Sequence, residues 1–173
     1  LDYAFRKSGG EHGFDPIIAS GGNATVAHYF QNNAQLKKGT FVMMDVGAKL
    51  NGYPADLTRT YAFGKPTKRM IAVHDAVREA QAEIIAMIKP GLSVEEYQRR
   101  SDNIIKNAMV ELKIISSSSD EDGFRRHMPH ALSHGLGVDV HDALGKPREF
   151  QEGMVLTVEP GIYLPNEKIG VRI

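Results

Sequence analysis

The dipeptide Asn51-Gly52 constrains this 173-residue chain more than any other feature, because it sits between two apolar-rich runs, Phe41–Leu50 and Tyr53–Thr60. Asn-Gly between such runs is the strongest short-range hairpin signal, since both residues accept the positive φ that a two-residue loop requires. With Asn51 and Gly52 as that loop, Leu50 faces Tyr53 and Asp45 faces Thr58. Asp56 lies two residues from Thr58 and so points to the same face as Asp45. The two carboxylates become diagonal neighbours, roughly 7–8 Å apart at Cα. Aspartate is depleted in strands, and two like charges on one half-buried face repel unless a cation lies between them. The pair alone leaves two readings open: a solvent-facing edge, or a site for one divalent ion or for two ions about 3.5–4 Å apart.

The flanking segments read as an α+β chain. Phe14–Ser20 is expected to be a short strand leading into a Gly21-Gly22-Asn23 turn. Thr67 is the expected N-cap of a helix whose apolar stripe is Met70, Val73, Val77, Ala80, Ile84 and Met87, stopped by Lys89-Pro90-Gly91. Ser93 and Glu96 form a capping box for a second helix reaching about Lys113. Ser116–Gly123 is expected to be a polar loop, followed by short strands at 131–141, 154–159 and 169–173. Strands, two helices, then strands fit helices packed on one face of a sheet.

Charge narrows the partners. Lys plus Arg and Asp plus Glu are 21 each, so no basic surplus points to nucleic acid or to an anionic membrane surface. No apolar run approaches a membrane span, and there is no cysteine for disulfides or thiolate metal sites. A cytoplasmic location is the expectation.

Three further segments carry chemistry-bearing residues. His130, His134 and His141 fall within twelve residues, although the chain holds only seven histidines. His130 and His134 are spaced i to i+4, but Ala131 stands where a zinc-protease helix needs Glu, and Gly135 and Gly137 oppose a helix. Neutral imidazole can ligate a metal or move a proton near pH 7. Glu159 closes the run Met154–Val158 before Pro160-Gly161, and Arg172 lies in Gly170-Val171-Arg172-Ile173; alone, each is an ordinary surface charge.

Together, these segments resemble the catalytic domain of the pita-bread metallopeptidase family, and within it the Xaa-Pro aminopeptidases and Xaa-Pro dipeptidases. The matching stretches are Asp45-Val46-Gly47 with Gly52–Thr60, His130–Asp142, Thr157–Gly161, Gly170–Ile173, and Phe14–Tyr29 ending in Ala27-His28-Tyr29. The resemblance implies an α+β pita-bread fold, a curved antiparallel sheet with helices on its outer face, incomplete in this chain. Residues 1–173 would be a partial catalytic domain, without the first helix, an N-terminal domain or the final strand. By the same resemblance, Asp45, Asp56, His134 and Glu159 would bind two divalent ions, with Asp56 bridging. The ions would be Mn²⁺, with Co²⁺, Fe²⁺ or Zn²⁺ as alternatives. His130 and His141 would stabilise charge at the scissile bond, His28 would line the substrate pocket, and Arg172 would steady the carboxylates. A further bridging Glu is expected after Ile173.

The implied reaction is hydrolysis of the bond between an N-terminal residue and proline by a metal-bridging hydroxide. The partner is a proline-containing peptide, and the parent protein a homo-oligomer. The His130–His134 segment leans toward the aminopeptidase; the dipeptidase is the alternative. Methionine aminopeptidases share the ligand pattern, but Val140-His141-Asp142 and Thr157-Val158-Glu159 look more like the proline-directed branch. Creatinase-type hydrolases share the fold without metal. A non-catalytic peptide-binding module on the same fold is the reading from another class, and such modules usually lose the ligands that this chain keeps.

Overall fold

A computed structural model describes all 173 residues, Leu1–Ile173. The Asn-Gly hairpin is its organising element. Strands β3 (Thr40–Val46) and β4 (Ala48–Leu50) run up to the turn, and β5 (Tyr53–Pro54) and β6 (Leu57–Phe63) run back. Asn51 and Gly52 have φ of 51° and 87°, as a two-residue loop of this hand requires. Leu50 pairs with Tyr53 and Asp45 with Thr58, the register expected from the loop length.

The hairpin is divided between two small sheets. Its base joins β2 (Ile17–Ser20) in the antiparallel order β2-β3-β6, and its tip joins β1 (Glu11–His12) in the order β1-β4-β5. The division falls at Gly47, where a Cβ would collide with the Ala55 carbonyl and come within 2.7 Å of the Phe14 ring. Gly47→Ala is therefore expected to destabilise the protein by about 2 kcal/mol or more, since backbone must shift to admit the methyl group. Urea unfolding reads this directly, and an unchanged midpoint would show that the hairpin flexes there.

The two long helices form where their caps predict. Thr67 accepts from the Met70 N–H and opens α2 (Lys68–Met87), following α1 (Asp2–Lys7); Ser93 accepts from the Glu96 N–H and opens α3 (Val94–Glu111). Caps of this kind contribute about 1 kcal/mol each. Met70, Val73, Val77, Ala80 and Ile84 are all buried, so the helical stripe of α2 is the face that packs. That face meets Tyr97, Ile105 and Met109 of α3 in the larger of two cores.

The closing ribbon, β7 (Gly161–Leu164) and β8 (Ile169–Arg172), connects core to cavity. Strand alternation sends Ile169, Val171 and Ile173 into the helical core. Tyr163 instead joins Ile17, Ala19, Ala24, Tyr29 and Met43 in the second core, and Arg172 points the same way. The Thr60 hydroxyl donates to the Arg172 carbonyl (2.8 Å) and accepts from its N–H (3.2 Å), stitching β8 to the hairpin.

Three expectations are corrected. The strand expected over Phe14–Ser20 begins only at Ile17, and the turn after it is a 3-10 turn over Gly21–Thr25. The loop expected over 116–123 gives way to helix α4 (Glu121–His127), because Asp120 caps it at the Gly123 N–H (2.9 Å) and Phe124 is anchored in the core. Residues 131–141 and 154–159 are not regular strands. They touch through a short antiparallel ladder in which the N–H groups of Leu136, Thr157 and Glu159 donate to the carbonyls of Val155, His134 and Leu132. Beyond Gly135 the chain doubles back on itself, with the Asp142 N–H donating to the Gly135 carbonyl (2.9 Å), so Gly135 is bridged on one side by Asp142 and on the other by Leu156, and the pairing goes no further.

Candidate metal centre

That short ladder sets His134 beside Glu159. The Thr157 hydroxyl accepts from the His134 N–H (3.0 Å) and donates to Glu159 Oε1 (2.9 Å), so one side chain orients both groups. His134 Nδ1 faces the Gly135 carbonyl (2.9 Å), which can only accept, so Nδ1 carries a proton and Nε2 points at the carboxylates. Nε2 lies 3.3 Å from Asp56 Oδ2 and 3.1 Å from Glu159 Oε1. Asp56, His134 and Glu159 thus offer ligand atoms all within 4.8 Å of one another.

Asp45 is held differently. Its Oδ2 is 2.5 Å from Arg172 Nη2, while its Oδ1 is buried with no hydrogen-bond partner. An orphaned buried carboxylate oxygen is costly, and a cation is the partner that satisfies it. The donor set, carboxylate oxygens with one imidazole, also suits a hard or borderline divalent ion. The residues present therefore fit a metal.

The electrostatics of the cluster point the same way. Hydrogen bonds to Asp56 and Glu159 push the His134 pKa up to about 10. Burial pushes Asp45 up to about 6, with Arg172 opposing and Asp56 and Glu159 adding to the rise. Burial would raise Glu159 as well, but hydrogen bonds from His134 and Thr157 hold it below its ordinary value. In metal-free protein a proton on His134 thus does what a cation would do. With its folded pKa above the unfolded value, His134 contributes stability that is complete below about pH 6.5 and lost as pH rises through 10. Metal must displace that proton, so its apparent affinity is expected to rise with pH over the same window. Thermal melts with chelator and with Mn²⁺ from pH 6 to 10 check both slopes, and parallel curves would separate His134 from the metal.

The histidines and Arg172 lie around this cluster. Asp45, Asp56, His134, Glu159, His28, His130, His141 and Arg172 all line one cavity of about 760 Å³. The His141 ring sits 4.1 Å from that of His134, centroid to centroid. His130 has both nitrogens engaged: Nδ1 faces the Ala131 carbonyl (2.9 Å) and Nε2 the Tyr163 hydroxyl (2.8 Å). The carbonyl fixes the proton on Nδ1, so Nε2 accepts from Tyr163, and burial keeps this ring below its ordinary pKa. Arg172 is 2% exposed, far from a solvated terminal charge, and donates to Asp45, Thr58, Tyr163 and the Ala27 carbonyl.

Two functional residues escape a reading of the sequence. Tyr163 links Arg172 to His130, and Thr157 links His134 to Glu159. Only Gly161 hints at the first: a Cβ there would fall 2.8 Å from the Tyr163 hydroxyl and ring, so the glycine makes room for the ring to fold back.

Carboxylates and an imidazole converging in a cavity of an antiparallel α+β frame define a protein with a candidate metal centre. The chain belongs to metallopeptidase family M24, which it matches over residues 1–173. Xaa-Pro aminopeptidase 3 of Homo sapiens is 34% identical over 175 residues, covering 92% of this chain and 34% of that protein. A Xaa-Pro dipeptidase of Pyrococcus horikoshii is 35% identical over 182 residues, covering 100% of this chain and 46% of that protein. A solved structure from Bacillus anthracis, described as an aminopeptidase P, superposes with a TM-score of 0.92 at 35% identity, covering 99% of this chain and 41% of that one. The fold is the pita-bread fold, as expected from the motifs. The chain spans less than half the length of these relatives.

Proposed function

We propose that the protein is a Xaa-Pro aminopeptidase that hydrolyses the bond between an N-terminal residue and proline, using two divalent ions. The observation that carries this reading is the single cavity lined by all eight chemistry-bearing residues, with the ligand atoms of Asp56, His134 and Glu159 already within 4.8 Å. Asp45, Asp56, His134 and Glu159 would hold the ions. Mn²⁺ is the assigned ion, since oxygen donors outnumber the one nitrogen; Co²⁺, Fe²⁺ and Zn²⁺ are the alternatives. The chemistry such ions supply when bound is activation of water and polarisation of the scissile carbonyl.

The chain's own groups do the rest. The Gly135 carbonyl fixes the His134 tautomer that presents Nε2. Arg172 offsets the charge of Asp45 on the side away from its free oxygen. His130 and His141 stand beside the cluster to stabilise charge on the substrate, and His28 lines the approach.

The Xaa-Pro dipeptidase is the second reading, supported by the likeness to the Pyrococcus horikoshii enzyme. No helix is long and apolar enough to cross a membrane. With balanced charge and no cysteine, we place the protein in the cytoplasm, as a homo-oligomer acting on proline-containing peptides. The deciding assay incubates the full-length protein and Mn²⁺ with Ala-Pro and with Ala-Pro-Ala. Cleavage of the tripeptide supports the aminopeptidase, and cleavage of the dipeptide alone supports the dipeptidase. Hydrolysis of neither by folded, metal-loaded protein rules out both.

A further inference from the structure

We propose that Phe30, stacked on His28, is a specificity-determining residue whose ring receives the apolar or aromatic side chain of a residue adjoining proline in the peptide. This rests on the peptidase reading above. Phe30 lines the cavity and is 57% exposed, so its ring is open to a ligand there. Its ring lies 5.8 Å from that of His28 at an interplanar angle of 13°. The stack holds the Phe30 ring in a defined orientation at the cavity wall.

The surface is built rather than incidental. The Phe30 N–H donates to the His28 carbonyl (3.1 Å), closing a tight turn that sets both side chains on one side. The intervening Tyr29 turns inward, is 8% exposed, and donates its hydroxyl to Asn33 (2.7 Å). Asn32, at φ 48°, uses its carboxamide like a strand neighbour, accepting from the Ile18 N–H and donating to the Pro16 carbonyl, both at 2.7 Å. The segment's near end is tied to the charged centre through the Ala27 carbonyl, which accepts from Arg172 (3.1 Å). The backbone on both sides of Phe30 is anchored, and its ring, covered only in part by His28, stays 57% exposed.

The cavity wall is of two kinds: charged groups (the carboxylates, His134 and Arg172) and an apolar part that includes Phe14, Phe30 and Val140. A peptide whose backbone is held by the charged groups brings a neighbouring side chain to the apolar part. Stacking and burial there favour rings over small side chains. The residue before proline and the residue after it could each supply that ring, and the two arms of the test separate them.

The test uses full-length, Mn²⁺-loaded protein with Phe-Pro-Ala, Ala-Pro-Phe and Ala-Pro-Ala, together with the dipeptides Phe-Pro and Ala-Pro. Wild type is expected to prefer a Phe-containing peptide in one arm. Phe30→Ala is expected to cut that kcat/KM ratio by about tenfold or more, and Phe30→Tyr to retain it. A ratio unchanged in Phe30→Ala, or a loss spread equally over all peptides, overturns the assignment of Phe30 alone. A wild-type protein that cleaves none of the peptides overturns the peptidase reading, and the assignment falls with it.

Discussion

Asp56→Asn is expected to abolish tight metal binding and to lower kcat/KM by well over about 100-fold, the upper end of what losing a group behind a ligand costs. The reason is geometric. Asp56 Oδ2 is one of three ligand atoms within 4.8 Å, and the amide that replaces it keeps the shape but loses the charge. The fold should survive, because Asp56 lies between β5 and β6 and contributes to neither ladder. A second signature separates this from general damage. The hydrogen bond to Asp56 is the largest cause of the raised His134 pKa, so the variant's His134 should titrate nearer its ordinary value. Metal stoichiometry by elemental analysis and histidine titration by NMR are the measurements. A variant with wild-type metal content would remove Asp56 from the ligand set.

Arg172→Met is expected to cost about 3–5 kcal/mol of stability, the range for breaking a buried ion pair from one side. Arg172 and Asp45 are 2% and 8% exposed, and no other positive group is bonded to Asp45. Methionine fills the volume but leaves Asp45 without its neutralising partner, so Asp45 should take up a proton at higher pH still. The same change removes hydrogen bonds to Thr58, Tyr163 and the Ala27 carbonyl. Urea unfolding gives the stability change. The double variant Arg172→Met with Asp45→Leu discriminates the cause: if the stranded carboxylate is what destabilises, replacing both should recover much of the loss. A double variant no better than the single one would instead place the cost in the other hydrogen bonds.

Much of this architecture could be read from residues alone, for identifiable reasons. Asn51-Gly52 admits one short loop, and the period of two then fixes which acids share a face. Thr67 and Ser93 are caps with apolar stripes behind them, so α2 and α3 start where expected. Helix α4 was hidden because its seven residues carry too little periodicity, and Asp120 reads equally well as a loop residue. The 131–141 segment misleads because its apolar residues suggest a strand, whereas Gly135 and Gly137 let the chain turn back on Asp142. At the site, residue types reveal which groups matter but not how they divide. The division of labour, with Asp56 beside His134 and Asp45 beside Arg172, depends on where β8 docks. Tyr163 and Thr157 have no motif of their own; their roles exist only once distant segments meet.

That docking carries a consequence for the order in which the protein comes into being. The Thr60–Arg172 hydrogen bonds join residues 112 apart in sequence, and the Arg172–Asp45 pair joins residues 127 apart. Contacts of such separation form late, because a long loop must close before they give any return. As the chain is made, the hairpin bearing Asp45 and Asp56 emerges before both long helices. Throughout that interval the two acids face each other without Arg172, His134 or Glu159. The nascent chain therefore carries an unpaired acidic face until Arg172 follows, 127 residues after Asp45, and the centre can assemble only when β8 has left the ribosome.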